Sequence, residues 1–175
     1  MSNNIALLIL DAQVNMFSED ESVYEGEKIL GIINNLISRA RNNNLLIINI
    51  QNSGSESDPD FPGTPGWQIH PAIALESGDI VIQKSTPDAF FETPLKSILD
   101  SQGIQKLFIA GMQTEICIDA TCRRAASLGY DVTLVKDAHS TFDADVPADQ
   151  IIALHNQSLN KLIEVQESKN IIFDS

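Results

Sequence analysis

The feature that most constrains the fold is the alternation of short apolar runs with amphipathic segments along the chain. The first run, Ile5–Leu10, has six apolar residues without interruption, which is typical of a strand buried on both faces of a sheet. Glu27 to Ala40 follows, with apolar residues three and four positions apart, as in a helix with one buried face. Strands that alternate with helices indicate βαβ units, right-handed crossovers and a mostly parallel sheet.

The rest of the chain continues this alternation. Further strands are predicted at Leu45–Ile50, Ile80–Gln83, Leu107–Ala110, Val132–Val135 and Leu162–Val165, and further helices at Leu95–Ser101 (with Thr93 as its N-cap), Ile116–Leu128 and Pro147–Leu159. A loop rich in Ser, Gly, Pro and Asp runs from Gln51 to Gly66, and long loops of this kind are often functional. The pattern predicts a single α/β domain over residues 1–175, a three-layer α/β/α arrangement with a mostly parallel, six-stranded Rossmann-like sheet.

Charge and cysteine content narrow the class of protein. The formal net charge is −13, and such an acidic chain repels nucleic acid and anionic membranes. Ile5–Leu10 is too short to span a bilayer and no positive charge precedes it, so it is not expected to act as a membrane span or a signal peptide. Cys117 and Cys122 lie five residues apart and would point to different faces of a helix. Two free thiols predict a reducing compartment, and we expect a cytoplasmic protein that binds neither nucleic acid nor membrane.

Residues with useful chemistry follow several of the predicted strands. Asp11 comes directly after the first strand, Lys84 after the third, and a segment from Gly111 to Cys117 after the fourth. In an open α/β sheet, ligands bind beyond the carboxyl ends of the strands. The sequence therefore predicts that an acid, a base and a thiol converge at one edge of the sheet.

Cys117 is the most informative of these residues. It would lie in the first turn of a helix, where unpaired backbone N–H groups and the helix dipole favour an anion. This position, together with a nearby Lys84 ammonium, is expected to lower the pKa of the thiol, and the same N–H groups could form an oxyanion hole. The structural alternatives stay open, because a lone cysteine is often a small core residue and an Asp that ends a strand is often a cap.

Other candidate residues have weaker support. His139 follows the fifth predicted strand and could pair with the thiol in a Cys-His enzyme, although a histidine there is more often structural. Cys122 is expected in the core, and His155 at a packing or surface position. The sequence contains no Gly-x-Gly-x-x-Gly or Walker motif and no cluster with zinc-ligand spacing. No cofactor is therefore predicted.

At these residues the chain resembles the isochorismatase-like cysteine hydrolase family, which includes nicotinamidases and N-carbamoylsarcosine amidohydrolases. Four segments carry the resemblance in order: Leu7–Gln13 with its Asp-x-Gln, Gly63–Pro71 as the substrate loop, Lys84–Phe90 as the lysine segment, and Gly111–Cys117 as the Gly-x-x-Thr-x-x-Cys nucleophile loop. The resemblance runs from about Ala6 to Thr141. Each segment alone is weak evidence, but their order and spacing together are specific.

The resemblance implies roles for individual residues. The catalytic Asp, Lys and Cys of the family fall on Asp11, Lys84 and Cys117. A cis peptide bond of the family falls between Met112 and Gln113, and the N–H groups of Gln113 and Cys117 would then form the oxyanion hole. Further substrate contacts are predicted at Gln13, Phe17, Trp67, Phe90 and Thr114, with Phe91 as another pocket wall. Members of the family are commonly dimers or larger, so we expect a homodimer or larger homo-oligomer, in which the Trp67 loop acts as a lid or is completed by a second subunit.

Three departures from the family pattern refine the expectation. Nicotinamidases of the family bind a metal through an Asp-x-His and a further His after the second strand, but residues 49–60 contain no His, so no metal is predicted. Met16 stands where the family usually has Phe, with Phe17 next. Isochorismatases of siderophore and phenazine pathways often lack the cysteine that this chain has.

The resemblance therefore implies a hydrolase that cleaves an amide, ureide or carbamoyl C–N bond of a small molecule through a thioester. Two alternatives stay open. One is a vinyl-ether hydrolase of the isochorismate type that uses Asp11 as its acid, and the other is a non-catalytic binding protein with the same fold.

Overall fold

The computed structural model describes residues 3–173, which are built around one six-stranded sheet. The strands are β1 (Ile5–Leu10), β2 (Leu46–Asn52), β3 (Ile80–Lys84), β4 (Lys106–Met112), β5 (Asp131–Ser140) and β6 (Glu164–Gln166). Their order is β3-β2-β1-β4-β5-β6, and all five neighbouring pairs are parallel. The predicted six-stranded α/β sheet is confirmed. The chain grows outward from β1 to one side and then from β4 to the other, so the space between β1 and β4 is the switch point at which such sheets bind ligands.

Helices cover both faces of the sheet and complete three layers. They are α1 (Gly26–Asn42), α2 (Leu95–Ser101), α3 (Asp119–Ser127) and α4 (Ala148–Leu159). Alternate residues of β1 point to opposite faces, so Leu7 and Ile9 pack with α1, whereas Leu8 and Leu10 pack with α2 and α3. This two-sided cover explains why β1 is a continuous apolar run. Across residues 3–173, none of the helices combines the length and the apolar character that crossing a lipid bilayer requires.

Strand β5 is longer than predicted, and this changes the position of His139. The prediction placed the segment from Lys136 to His139 in a loop, but β5 continues to Ser140. A register shift in the pairing of β4 with β5 lies between Ile109 and Gly111, after which pairing resumes as far as Met112 and Ser140. The polar residues hid this extension, because apolar periodicity was the only strand signal available.

The ends of two helices also differ from the prediction. Helix α3 begins at Asp119 rather than Ile116, because a π-helical turn, Thr114–Ile118, precedes it. Thr93 is not the N-cap of α2, since Pro94 occupies that position. The Thr93 hydroxyl still accepts a hydrogen bond from the Leu95 N–H at 3.3 Å.

Gly111 allows β4 to approach β1 beside the switch point. Its φ is +124°, and a Cβ atom at this position would lie 2.0 Å from the Leu10 carbonyl oxygen. We expect Gly111→Ala to lower the free energy of unfolding by roughly 3 kcal/mol, through backbone strain and overpacking. The control is Gly31→Ala, because Gly31 lies in α1 with nothing within 4 Å of the added Cβ. It should raise stability by up to about 1 kcal/mol. Equal urea midpoints for the two variants would contradict this account.

Candidate active site

Three side chains from distant parts of the chain meet at the carboxyl edge of the sheet. The Lys84 ammonium lies 3.2 Å from Oδ2 of Asp11 and 3.3 Å from Sγ of Cys117. Asp11, Lys84 and Cys117 are only 1%, 3% and 8% exposed. The structure therefore brings the three residues together as the sequence predicted, while their catalytic roles stay predictions. A buried acid and a buried thiol that contact the same cation form a group that can exchange a proton and stabilise a negative charge.

Each of the three residues is positioned by the end of a strand. Asp11 follows β1 with a left-handed φ of +50°, and its N–H donates to the Ile50 carbonyl at 2.9 Å. Lys84 is the last residue of β3. Cys117 lies in the π-helical turn after β4, in which the Ile118 N–H donates to the Gln113 carbonyl at 3.1 Å. A non-glycine residue with positive φ is uncommon and often marks a functional position.

Two further residues, Asn52 and Asp60, belong to this cluster but were not predicted from the sequence. Asn52 accepts a hydrogen bond from the Lys84 ammonium at 2.9 Å, and its own amide donates to Oδ2 of Asp60 at 2.7 Å. Asp60 is buried, and its charge helps to raise the pKa of Asp11. Asn52 is the last residue of β2, paired with Lys84 of β3. Asn52 would have been recognised as a residue at the carboxyl end of a strand if β2 had been predicted two residues longer.

Gln13 is held by hydrogen bonds within the protein, and its predicted role as a substrate contact stays a prediction. Its fully buried amide donates to the carbonyls of Asn52 and Trp67, each at 2.9 Å, and accepts from the Asn52 N–H at 2.8 Å. These bonds engage both N–H groups of the amide and one lone pair of its oxygen. Gln13 thereby fixes the end of β2, and with it the side chain that contacts Lys84.

Two other predicted substrate contacts, Thr114 and Phe90, are also buried. Thr114 is fully buried and its hydroxyl is 2.8 Å from Nδ1 of His139. The ring of Phe90 packs in the core and stacks on Tyr130, with the ring centroids 5.9 Å apart. Tyr130 directly precedes β5, so it lies at the amino edge of the sheet, opposite Cys117. The side chains of Thr114 and Phe90 thus make these contacts inside the protein, and their predicted roles as substrate contacts stay predictions.

Phe17 and Trp67 are partly buried and stay candidates for the pocket wall. The ring of Phe17 meets that of His70 edge-on at 5.1 Å. The Trp67 indole N–H donates to the hydroxyl of Ser53, the residue after β2, at 3.1 Å, which fixes the ring against the end of that strand. Phe91 is largely exposed. Whether Phe17, Trp67 and Phe91 contact a substrate remains a prediction.

The electrostatic state of the thiol is the opposite of the one predicted. Burial, reinforced by the Asp11 carboxylate, raises the pKa of Cys117 to about 12, and Lys84 opposes this shift only in part. Burial also raises the pKa of Asp11, although Lys84 lowers it. The expected lowering of the thiol pKa was wrong, because the turn that carries Cys117 buries it beside an acid. The thiol is thus protonated at neutral pH, and Asp11 is a stronger base than an exposed aspartate.

Alkylation of the free protein should reveal this state. We expect iodoacetamide to modify Cys117 more slowly than free cysteine at pH 7, because the thiolate is the reactive form. The rate should rise with pH well beyond the pH at which free cysteine is fully ionised. Peptide mapping by mass spectrometry would separate Cys117 from Cys122, whose thiol pKa is also raised by burial. Faster labelling of Cys117 than of free cysteine at pH 7 would contradict the assignment of a neutral thiol.

The loop before Cys117 contains a backbone N–H group that could act as a donor, that of Gln113. The Met112–Gln113 peptide bond is cis. Within residues 3–173, the Gln113 N–H meets no hydrogen-bond acceptor. A free N–H at the start of the turn that carries a nucleophile is the kind of donor that can hold an oxyanion.

The remaining candidate residues lie outside the cluster of Asp11, Lys84 and Cys117. His139 contacts Thr114 and Asn156 rather than Cys117, so a Cys-His pair has no geometric support. Cys122 is fully buried in the core, as predicted. Nδ1 of His155 lies 2.9 Å from Oδ2 of Asp119, and both side chains are partly exposed. Over the described part of the chain, no three His, Cys, Asp or Glu side chains come close enough to hold a metal ion, so the residues present do not fit the nicotinamidase metal site.

The chain matches known sequences over most of its length. The model of the isochorismatase domain matches residues 5–167. Streptothricin hydrolase from Streptomyces noursei is 37% identical over 143 residues, which cover 82% of this chain and 51% of that protein. Ureidoacrylate amidohydrolase from Enterobacter sp. strain 638 is 37% identical over 86 residues, which cover 46% of this chain and 37% of that protein. The matched region thus spans about half the length of streptothricin hydrolase.

A solved structure agrees with the sequence comparisons. An isochorismatase from Pseudomonas putida KT2440 superposes with a TM-score of 0.90 at 28% identity, covering 97% of this chain and 91% of that one. The agreement extends over the whole sheet and its helices, so the two chains share one fold. The domain match and the superposition lead to the same assignment. The chain belongs to the isochorismatase family.

Proposed function

We propose that this chain is a cysteine hydrolase that cleaves an amide, ureide or carbamoyl C–N bond of a small molecule. The observation that carries the proposal is the position of the Lys84 ammonium, which lies within 3.3 Å of both the Cys117 sulfur and an Asp11 oxygen in a buried site. The names of two relatives, streptothricin hydrolase and ureidoacrylate amidohydrolase, support hydrolysis of a C–N bond. A protein that merely kept the fold would gain no stability from a buried ion pair, because desolvation of the charges offsets their attraction.

The first half of the proposed reaction acylates the thiol. Asp11 takes the proton of Cys117 as the sulfur attacks the substrate carbonyl carbon. A C–S bond forms, and the carbonyl electron pair moves to oxygen, where the N–H groups of Gln113 and Cys117 hold it. Asp11 then gives its proton to the leaving nitrogen, the C–N bond breaks and the amine or ammonia departs. Lys84 stabilises the thiolate and the carboxylate in turn.

The second half hydrolyses the thioester. Asp11 removes a proton from water, and the resulting hydroxide attacks the acyl carbon. The C–S bond breaks, and the Cys117 sulfur recovers its proton from Asp11. One carboxylate therefore acts as base and acid in each half-reaction, which a raised pKa assists because proton transfer is most efficient with a pKa near the working pH.

A second function has one observation in its favour. The raised pKa of Asp11 would also suit an acid that protonates the vinyl ether of an isochorismate-type substrate. In that reaction the Cys117 sulfur forms no bond. The presence of the sulfur in contact with Lys84 favours the C–N hydrolase.

An activity screen tests the proposal. The purified protein is incubated at neutral pH, with and without a chelator, with a panel of small amides, ureides and carbamates, and ammonia release is measured. Isochorismate is tested in parallel by loss of its ether. We expect ammonia release from at least one C–N substrate, unaffected by the chelator. Cleavage of isochorismate alone would favour the ether hydrolase, and an inert protein would favour a binding role.

The proposal also covers the oligomeric state and the residues that line the substrate pocket. We expect a homodimer or larger homo-oligomer, with Phe17 and Trp67 as walls of a pocket for a small-molecule substrate. No cofactor is required, because thiol, acid and cation supply the whole reaction.

A further inference from the structure

Thr114, His139 and Asn156 form a buried chain of hydrogen bonds that begins in the turn that carries Cys117. Nδ1 of His139 is 2.8 Å from the Thr114 hydroxyl, and Nε2 is 2.8 Å from Oδ1 of Asn156. Thr114, His139 and Asn156 are all at least nine-tenths buried. They connect α4 and β5 to the first residue of the π-helical turn Thr114–Ile118.

The groups around these three side chains fix which atom donates and which accepts in each of their hydrogen bonds. The Asn156 amide nitrogen donates to the Lys136 carbonyl at 3.3 Å, so its oxygen faces His139. An oxygen there accepts, which places the imidazole proton on Nε2 and leaves Nδ1 as an acceptor. The Thr114 hydroxyl must therefore donate to Nδ1. Burial lowers the pKa of His139 to about 4, so the neutral ring that this pattern needs is the form present at neutral pH.

We propose that His139 and Asn156 are positioning residues that hold Thr114, and through it the nucleophile turn, in the reactive arrangement. The proposal rests on the function proposed above. Thr114 directly follows Gln113, whose free N–H is a proposed oxyanion donor, and it lies three residues before Cys117. A single rigid link at Thr114 thus sets the distance between the sulfur and that donor. Within residues 3–173, no hydrogen bond joins Thr114, His139 or Asn156 to the side chains of Asp11 or Lys84, so we assign the effect of these residues to the turn.

Thr114→Val tests the link, because it removes the hydroxyl while nearly keeping the shape. With the amide that the wild type cleaves fastest, we expect kcat to fall about 100-fold, as for an ångström-scale misplacement of a reacting group. KM should stay close to its wild-type value. Thr114→Ser, which keeps the hydroxyl, should restore most of kcat.

Two variants of His139 separate the two halves of the chain. His139→Asn keeps a side-chain acceptor near the place of Nδ1, whereas His139→Gln keeps a donor near the place of Nε2. Because the bond to Thr114 is the one that holds the turn, the Asn variant should retain more kcat than the Gln variant. The reverse order would contradict the proposed direction of the chain.

The matched control is Thr133→Val. Thr133 is also fully buried on β5, and its hydroxyl donates to Glu164 at 3.1 Å, remote from the site. Both Thr→Val variants should lose stability in urea, but only Thr114→Val should lose kcat. Equal effects of the two substitutions on kcat would show that Thr114, His139 and Asn156 act only as ordinary core residues.

A second readout does not depend on turnover. Loosening the turn would expose Cys117, whose thiol pKa is raised by burial, so iodoacetamide should label Cys117 faster in Thr114→Val than in wild type or Thr133→Val. If the wild type hydrolyses nothing, the proposed function fails, but this comparison still tests the positioning. Unchanged labelling in Thr114→Val would overturn the inference.

Discussion

Cys117→Ala is expected to lose turnover of the C–N substrate by about four to six orders of magnitude, the scale seen when a covalent nucleophile is removed. Without the sulfur there is no thioester, and the buried Asp11 has no thiol proton to accept. The change removes a single heavy atom, the side-chain sulfur, so the fold should persist. Ammonia release under saturating substrate measures the loss.

Cys122→Ala provides the matched control for this prediction. It deletes the same atom from the same residue type, but Cys122 lies in α3 and is fully buried in the core. We expect this variant to keep kcat while losing some stability, because it leaves a small cavity. If Cys117→Ala retains full ammonia release, the thiol is not the nucleophile. Retained cleavage of isochorismate alone would indicate the ether hydrolase.

Lys84→Met is the second large effect. It should abolish turnover and also lower the free energy of unfolding by about 3–5 kcal/mol at neutral pH, because the Asp11 carboxylate is left buried without its cation. Lys84 and Asp11 are both almost completely buried and 3.2 Å apart. The stability loss is measured by urea unfolding at several pH values.

The pH dependence of that loss has a definite sign. Lys84 lowers the pKa of Asp11 against the effect of burial, so removing it raises the pKa of Asp11 in the folded variant further above its unfolded value. A group with a raised folded pKa stabilises fully at low pH and loses this contribution as pH rises through the folded pKa. The deficit of Lys84→Met should therefore shrink in acid, where Asp11 is neutral.

Lys96→Met is the control for the buried ion pair. Lys96 contacts Asp100 at 2.6 Å on the surface of α2, with both side chains about half exposed. Exposed pairs of this kind contribute less than about 1 kcal/mol, so the variant should keep its stability and its kcat. Equal stability losses in the two lysine variants would contradict the buried geometry of Lys84.

The sequence alone was sufficient to predict the sheet and the convergence of Asp11, Lys84 and Cys117 at one edge of it. The apolar run of β1 could only be a strand covered on both faces, and strand ends at Asp11 and Lys84 place polar groups at the same edge. Parallel strands all direct their carboxyl ends to one side of the sheet, so residues that follow different strands meet there whatever their side-chain conformations. The meeting of Asp11, Lys84 and Cys117 was therefore predicted, whereas the expected lowering of the Cys117 pKa was wrong.

What sequence could not supply depends on packing in three dimensions. A cysteine at a helix start suggests a lowered pKa, yet the π-helical turn buries Cys117 against Asp11 and reverses the shift. Gln13 and Thr114 lie within matching motifs and suggested ligand contacts, but their hydrogen bonds are made inside the protein. Asn52 was missed because its role depends on the register between β2 and β3.

The central claim is that the Cys117 sulfur forms a bond to the acyl carbon of the substrate. Its most direct test is intact-protein mass spectrometry of the enzyme quenched in acid within milliseconds of mixing with a cleaved amide, followed by peptide mapping. We predict a mass increase equal to the acyl fragment, located on the peptide that contains Cys117, and its absence in Cys117→Ala. Rapid turnover with Cys117 unmodified at every quench time, or an adduct on another residue, would contradict the account.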